Sequence, residues 1–183
     1  GDLIRGLMLA SGNDAANTIA VHIGRKVSKD PSLSITQAMD YFVEMMNSRA
    51  QELGAKNSHF ANPHGYHDDN HYTTALDLAL IKREALKHQF YREVVATCLY
   101  SMEDWSSVNE ENPEEKEIRY WRNSNALIQK NDKFYYEYAT GGKTGYTSKA
   151  GQCLVSSATR GDMNLISVVL NSSKEGKWTD SVA

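Results

Sequence analysis

The segment from Gly141 to Tyr146 reads G-G-K-T-G-Y and holds the residue types best suited to recognise an anion. Lys143 and Thr144 offer an ammonium and a hydroxyl to a carboxylate, while Gly145 has no side chain to obstruct a ligand. A glycine-rich strand edge of this kind can bind an extended peptide as an additional strand. We therefore predict a strand edge that recognises a carboxylate. The alternative is that K-T-G only ends a strand with ordinary turn residues.

A second polar group, Ser11-Gly12-Asn13-Asp14, forms a corner between two helical patterns. Its S-x-N pattern is a weak signal by itself, since Ser107-Val108-Asn109 repeats it. On a purely structural interpretation, Ser11 ends the first helix and Asn13 or Asp14 caps the second. The pattern becomes informative only in combination with K-T-G.

A histidine-rich segment lies between these two motifs, with imidazoles at His59, His64, His67 and His71. The spacings H-x-x-H and H-x-x-x-H could indicate a metal site. The surrounding residues, however, are turn formers and lack the helical register that would bring the imidazoles together. We therefore favour a solvated, hydrogen-bonded loop and predict no metal or other cofactor.

The elements that would position these motifs are helical in the first two-thirds of the chain. One helix precedes the Ser-Gly-Asn corner, and a second is predicted from Ala15 to Ile23, with Gly24 as its end. Ser34 and Gln37 form a capping box for a third helix that ends at Gly54. A threonine at position 73 or 74 caps a further helix after the histidine-rich loop.

The remainder of the chain is rich in strand-forming residues. A short strand is predicted at Ile118 to Trp121, and two longer runs, at 152–155 and 165–170, flank a turn at Arg160-Gly161-Asp162 as an antiparallel hairpin. The predicted class is α+β. A helical lobe of about residues 1–115 packs against an antiparallel sheet of about residues 116–175, in a single domain of 183 residues.

The composition excludes several other functions. Twenty Lys and Arg against 23 Asp and Glu give a formal charge of −3, with no basic patch that would bind nucleic acid. The apolar stretches are far shorter than the roughly 20 residues needed to cross a bilayer. The two cysteines, Cys98 and Cys153, lack the spacing of a zinc site or a redox pair.

In combination, the motifs resemble those of the low-molecular-mass penicillin-binding D-Ala-D-Ala carboxypeptidases. The similar segments begin at Leu7 (L-M-L-A-S-G-N-D-A-A-N), Asn62 (N-P-H-G), His71 (H-Y-T-T-A) and Gly142 (G-K-T-G-Y-T-S-K-A-G). The resemblance spans most of the chain and implies a β-lactamase/transpeptidase-like fold. It also accounts for the histidine-rich loop without a metal.

The resemblance implies a role for each residue of the two motifs. In this family, S-x-x-K, S-x-N and K-T-G motifs line one cleft. Ser11 would relay a proton between the catalytic lysine and the leaving amine, and Asn13 would hydrogen-bond the acyl amide of the peptide. Lys143 would hold Ser11 in place and set the electrostatics of the site. Thr144 would bind the terminal D-Ala carboxylate, and the backbone N–H of Tyr146 would supply half of an oxyanion hole.

The resemblance also implies the substrate and its location. The substrates would be peptidoglycan stem peptides that end in D-Ala-D-Ala, and β-lactams would act as inhibitors. Because peptidoglycan lies outside the cytoplasmic membrane, we expect an extracytoplasmic protein whose signal peptide and any anchor are not in this sequence.

One motif of the family is missing, because no serine of this sequence is followed by a lysine three positions later. In the family, S-x-x-K lies upstream of S-x-N, and a further helix follows the last strand. We therefore expect an internal piece, truncated at both ends, of a serine-type carboxypeptidase that acts through an acyl-enzyme. The piece itself is predicted to be inactive. Its cut sheet would expose strand edges that a second copy could cover in a homodimer.

Two other functions are compatible with the motifs. A class A β-lactamase shares the three-motif cleft, but no E-x-x-L-N-like segment lies between the two motifs here. A non-catalytic peptidoglycan-binding homologue would keep two motifs and lack the nucleophile.

Overall fold

The computed structural model describes residues 1–102 and 119–183, and in these ranges it has six α-helices and five strands. The helices are α1 (Asp2–Ala10), α2 (Asn13–Ser28), α3 (Ile35–Glu52), α4 (Ala75–Ala85), α5 (Gln89–Ala96) and α6 (Gly176–Val182). The strands are β1 (Leu99–Met102), β2 (Arg119–Arg122), β3 (Ala139–Thr147), β4 (Gly151–Arg160) and β5 (Met163–Ser172). All these strands pair in antiparallel fashion, so the predicted α+β class is confirmed. The second S-x-N pattern, at 107–109, and Ile118 lie outside the described residues.

Side-chain caps set the start of two helices, as the sequence predicts. The Ser34 hydroxyl accepts from the Gln37 backbone N–H at 3.2 Å, and the Gln37 side chain accepts from the Ser34 N–H at 3.0 Å, so α3 begins with a complete capping box. Gly54 follows this helix with a φ of +85°. Thr74, rather than its neighbour, caps α4 by accepting from the Asp77 N–H at 3.2 Å.

The prediction that α2 ends at Gly24 is wrong, because the helix begins at Asn13 and continues to Ser28. Gly24 is buried, and a Cβ atom at this position would lie 2.1 Å from the carbonyl oxygen of Ala38 on α3. The glycine therefore permits the two helices to pack closely. The residue that leaves the helix is Lys29, whose φ is +59°.

The main sheet has the strand order β3-β4-β5, with β3 at one edge. The predicted hairpin is confirmed as β4 and β5, which are joined at the pair Arg160 and Met163. Leu154 of β4 is fully buried, and with Trp178 of α6 it belongs to a core cluster that also includes Ala126 and Leu127. β2 overlaps the strand predicted at Ile118 to Trp121 and pairs with β1 in a separate two-stranded sheet.

A helix follows the last strand within the chain. The helix after β5, which the family resemblance led us to expect to be missing, is present as α6, which begins four residues after β5 and packs against β4 and β5. Its Trp178 is buried against the core cluster. No helix in the described parts of the chain combines the length and apolar character needed to span a membrane.

Candidate active site

The corner between α1 and α2 presents Ser11 in an unusual backbone conformation. Ser11 follows the last residue of α1 with a φ of +57° and a ψ of +39°, in the left-handed region that costs a non-glycine residue roughly 1 kcal/mol or more. The N–H of Gly12 donates to the carbonyl oxygen of Gly6 at 3.2 Å and closes the end of α1. The corner leaves Ser11 and Asn13 exposed to solvent.

The structural interpretation of this corner is correct for Ser11 and wrong for the residues after it. Ser11 does end α1, but the residue that caps α2 is Gly12, and no side chain makes the capping hydrogen bond. The Asp14 side chain instead accepts from the next N–H, that of Ala15, at 2.8 Å. The amide of Asn13 is therefore not used as a helix cap.

Lys143 of β3 reaches across to this corner. Its ammonium donates to the Ser11 hydroxyl oxygen and to the carbonyl oxygen of Thr144, the latter at 2.9 Å. Burial lowers the pKa of the Lys143 ammonium to about 8. The fold thus brings together two residues that lie 132 positions apart in the sequence.

The K-T-G segment lies within the edge strand β3 and does not end it. The Thr144 hydroxyl is 2.6 Å from the hydroxyl of Ser124. A Cβ atom at Gly145 would have the Cβ atom of Cys153 as its nearest non-adjacent neighbour, at 3.9 Å. Packing therefore does not require a glycine there, and the backbone of β3 is left open at this edge. Tyr146 is 66 % exposed beside it.

A cleft of about 820 Å³ joins these residues. All the site residues that the sequence predicts line it, from the corner and from β3 alike: Ser11, Asn13, Lys143, Thr144, Gly145 and Tyr146. The loop from His64 to His67 also lines the cleft, and its Tyr66 is 69 % exposed. The cleft therefore combines the polar groups of the two motifs with a loop that carries an aromatic side chain.

Three further lining residues were not identified from the sequence: Ser124, Cys153 and Lys177. Lys177 is 9 % exposed and donates to the side-chain oxygen of Gln152 at 2.5 Å. It adds a second ammonium to the cleft. Ser124 precedes a short 3-10 helix and Lys177 lies in α6, so neither belongs to a motif that could have been recognised from its spacing.

The histidines of the loop make separate contacts. The Nδ1 atom of His59 is 2.6 Å from the carbonyl oxygen of Asn70, whereas His71 accepts from the N–H of Ala61 at 3.2 Å, and burial lowers the pKa of His71. His64 accepts from the N–H of Tyr66 at 3.1 Å. Among the residues that the structure describes, no group of three or more His, Cys, Asp or Glu side chains is placed to hold a metal.

Known proteins are similar to this chain in sequence and in fold. The profile of the D-alanyl-D-alanine carboxypeptidase family matches residues 1–174. The chain is 35 % identical over 173 residues to D-alanyl-D-alanine carboxypeptidase DacF of Bacillus subtilis, covering 94 % of the chain and 38 % of DacF. It is 36 % identical over 173 residues to DacA of Escherichia coli K12, covering 92 % of the chain and 34 % of DacA.

A solved structure shows the same fold. The chain superimposes on the DD-transpeptidase of Streptomyces K15 with a TM-score of 0.84 at 32 % identity, covering 99 % of the chain and 64 % of that protein. The chain thus spans little more than a third of these two carboxypeptidases and under two-thirds of the transpeptidase.

Proposed function

The chain belongs to the D-alanyl-D-alanine carboxypeptidase family, and we propose that the protein is a penicillin-sensitive, serine-type enzyme that removes the terminal D-alanine from peptidoglycan stem peptides. The observation that carries this proposal is the contact between the Lys143 ammonium and the Ser11 hydroxyl at the open edge of β3. The cleft around it is lined with the groups that an anionic peptide end requires.

The direction of the hydrogen bonds at Ser11 supports its role in proton transfer. An ammonium can only donate, so the Ser11 oxygen accepts from Lys143 and keeps its own O–H free. That proton is available to the nitrogen of the departing D-alanine as the peptide C–N bond breaks. Asn13, the first residue of α2 at the same corner, would hydrogen-bond the peptide amide.

The edge of β3 supports binding of the terminal carboxylate. The ammonium groups of Lys143 and Lys177 favour an anion in the cleft, and the Thr144 hydroxyl offers a directional donor to it. The backbone of β3 beside Gly145 is open to an extended peptide. The N–H of Tyr146 would form half of an oxyanion hole, in which a single donor contributes about 3 kcal/mol or more to the transition state.

The nucleophile is not among these 183 residues, since no serine here has a lysine three positions later. We propose that an S-x-x-K serine of the protein attacks the carbonyl of the penultimate D-alanine and forms an ester. Water then hydrolyses this ester and restores the serine. The chain without that motif is expected to bind peptide or penicillin weakly and to form no acyl-enzyme.

Intact-mass measurement after penicillin treatment tests this function. The chain of 183 residues is compared with a form of the protein that carries the family's S-x-x-K motif, and a Lys143→Met variant of that form is the control for the site. A stable adduct on the S-x-x-K form alone supports the carboxypeptidase. No adduct on either would favour a non-catalytic peptidoglycan-binding protein, and rapid hydrolysis of the penicillin would favour a β-lactamase.

Two further properties follow as proposals from the substrate and the sheet. The protein would act outside the cytoplasmic membrane, where peptidoglycan is. A second copy would pair along β5, the outer strand of the main sheet, where Met163 and Leu165 are each 58 % exposed. Light scattering across a concentration series tests the dimer, which a constant monomeric mass would exclude.

A further inference from the structure

Lys82 of α4 is a buried cation that the proposed reaction does not use. It is 3 % exposed, and no carboxylate of the described residues forms an ion pair with it. Its ammonium donates to the carbonyl oxygen of Gly141 and to the hydroxyl of Tyr91, both at 3.3 Å. Burial lowers the pKa of Lys82 to about 8 and raises that of Tyr91 to about 12. Because an unpaired buried ammonium opposes folding, its presence calls for a reason other than stability.

Gly141, the acceptor of this bond, belongs to a β-bulge at the start of β3. Between Ala139 and Gly141 the strand has one residue more than β4 has across the same step. Side chains alternate between the two faces of a strand, so one extra residue decides on which face every later side chain lies. The bulge therefore determines that Lys143 points toward Ser11.

The bulge is fixed by a small set of contacts. The Gly141 carbonyl oxygen accepts from Lys82 and from the Ser157 hydroxyl, the latter at 3.1 Å, and the Thr140 hydroxyl donates to Ser157 at 2.9 Å. Gly141 has a φ of +114°, and a Cβ atom there would lie 2.2 Å from the carbonyl oxygen of Val95. Lys82 is the charged member of this set, and its ammonium lies 3.3 Å from the Gly141 carbonyl oxygen.

We propose that Lys82 is a positioning residue, which holds the Gly141 carbonyl and so fixes the bulge that directs Lys143 to Ser11. Its effect on the geometry of β3 is independent of the reaction. Its effect on catalysis rests on the proposed function of Lys143.

The test on this chain is the ionisation of Lys143, followed by NMR of lysine side chains labelled at the ε position. In the Lys82→Met variant, which shortens the side chain by one atom and removes its charge, the Lys143 side chain is expected to swing into solvent. Its pKa then rises by about one unit or more toward the ordinary value for lysine. The thermal unfolding midpoint at pH 7 stays the same or rises, because an unpaired buried charge is gone.

Arg83→Met is the matched control, because this neighbour on α4 is exposed and loses the same charge. The control should leave the pKa of Lys143 where it is. A folded Lys82→Met protein with an unchanged Lys143 pKa overturns the proposal, whether or not the midpoint falls. If that variant does not fold, Ser157→Ala decides, because it removes the other donor to the same carbonyl. A smaller rise in the Lys143 pKa then supports the proposal, and no rise overturns it.

A second measurement separates this proposal from the function on which its catalytic part rests. In the form of the protein with the S-x-x-K motif, Lys82→Met is expected to slow acylation by penicillin about tenfold or more, since a small displacement of a catalytic group has effects of that size. If the unaltered protein is not acylated, the proposed function fails and the NMR result stands alone. If both proteins are acylated at the same rate, the positioning role fails.

Discussion

The two halves of β3 use the same residue type for opposite purposes. In the first half, Gly141 and Gly142 are buried, and a Cβ atom on either would lie within 2.2 Å of a backbone carbonyl oxygen of the protein itself. In the second half, a Cβ at Gly145 would have its nearest neighbour at 3.9 Å, and Tyr146 is mostly exposed. The first two glycines are needed by the fold, and the third leaves space for a ligand.

Lys143 and Thr144 lie where the two halves meet. Their backbone continues from the packed half, whereas their side chains reach into the cleft. The packed first half of β3 fixes the backbone of these two residues, and the open second half leaves their side chains accessible to a ligand. Four substitutions or conditions would break or sharpen this contrast.

The largest effect is expected from Gly142→Ala. Its Cβ would lie 2.1 Å from the Val155 carbonyl oxygen, so β3 and β4 would have to separate. We expect the free energy of unfolding, measured by urea denaturation, to fall by about 3 kcal/mol or more. Equal stability of this variant and the unaltered protein would contradict the division of the strand.

The pH dependence of stability would show the burial of Lys82, which contacts the first half of β3, and of Lys143, where the two halves meet. The pKa values of Lys82 and Lys143 are lowered to about 8 in the folded protein, so the unfolded chain binds more protons between pH 8 and the ordinary lysine value. The free energy of unfolding should therefore rise with pH across this window, by at most about 3 kcal/mol for Lys82. Above pH 10 the raised pKa of Tyr91 acts in the opposite direction.

Urea denaturation between pH 7 and 10 checks this slope. Lys82→Met should remove the part of the rise in unfolding free energy that Lys82 causes and leave the part that Lys143 causes. A slope that is the same in the two proteins would mean that Lys82 is not buried as a charged group.

The Lys143→Met variant separates chemistry from stability at the junction. We expect acylation of the S-x-x-K form by penicillin to slow by about 100-fold, the typical effect of removing one electrostatic group from a site of this kind. Stability should not fall, because an ammonium with no carboxylate partner is removed from a half-buried position. Lys149→Met, an exposed lysine in the turn after β3, is the control and should leave acylation unchanged.

The smallest effect on stability is expected from Gly145→Ala. The added methyl group has ordinary van der Waals contacts with the protein and none of the close approaches found at Gly142, so the free energy of unfolding should change by less than about 0.5 kcal/mol. The methyl group would nevertheless lie at the open edge of β3. A roughly tenfold slower acylation with unchanged stability would confirm that this glycine serves the ligand. A large loss of stability would place Gly145 in the packed half.

Local signals in the sequence predict local features well. The capping box at Ser34 and the turn between β4 and β5 involve residues within four positions of each other, so their chemistry can be read directly. Gly24 was misread because a helix-ending glycine and a helix-packing glycine look the same locally. The difference lies in the Ala38 carbonyl of another helix.

Only the motif residues of the site could be predicted from the sequence, and the residues that contact them could not. The K-T-G residues were identified from their chemistry, whereas Ser11 and Asn13 became informative only through the resemblance to a family, and the structure adds the contacts that hold them. Ser124 and Lys82 could not be identified from the sequence, because the groups that they contact at β3, the Thr144 hydroxyl and the Gly141 carbonyl respectively, are distant from them in the chain. No periodicity or spacing marks such a pair.

The contact between Ser11 and Lys143 also determines when the site can form as the chain folds. Closing a loop of 132 residues costs roughly 4 kcal/mol of chain entropy, more than the 1.5–3 kcal/mol that a hydrogen bond to a charged group is typically worth. The contact is too weak to bring Ser11 and Lys143 together by itself, so it forms after the helices and the sheet have docked. We therefore expect the cleft to be among the last features to appear during folding and among the first to be lost when the packing loosens.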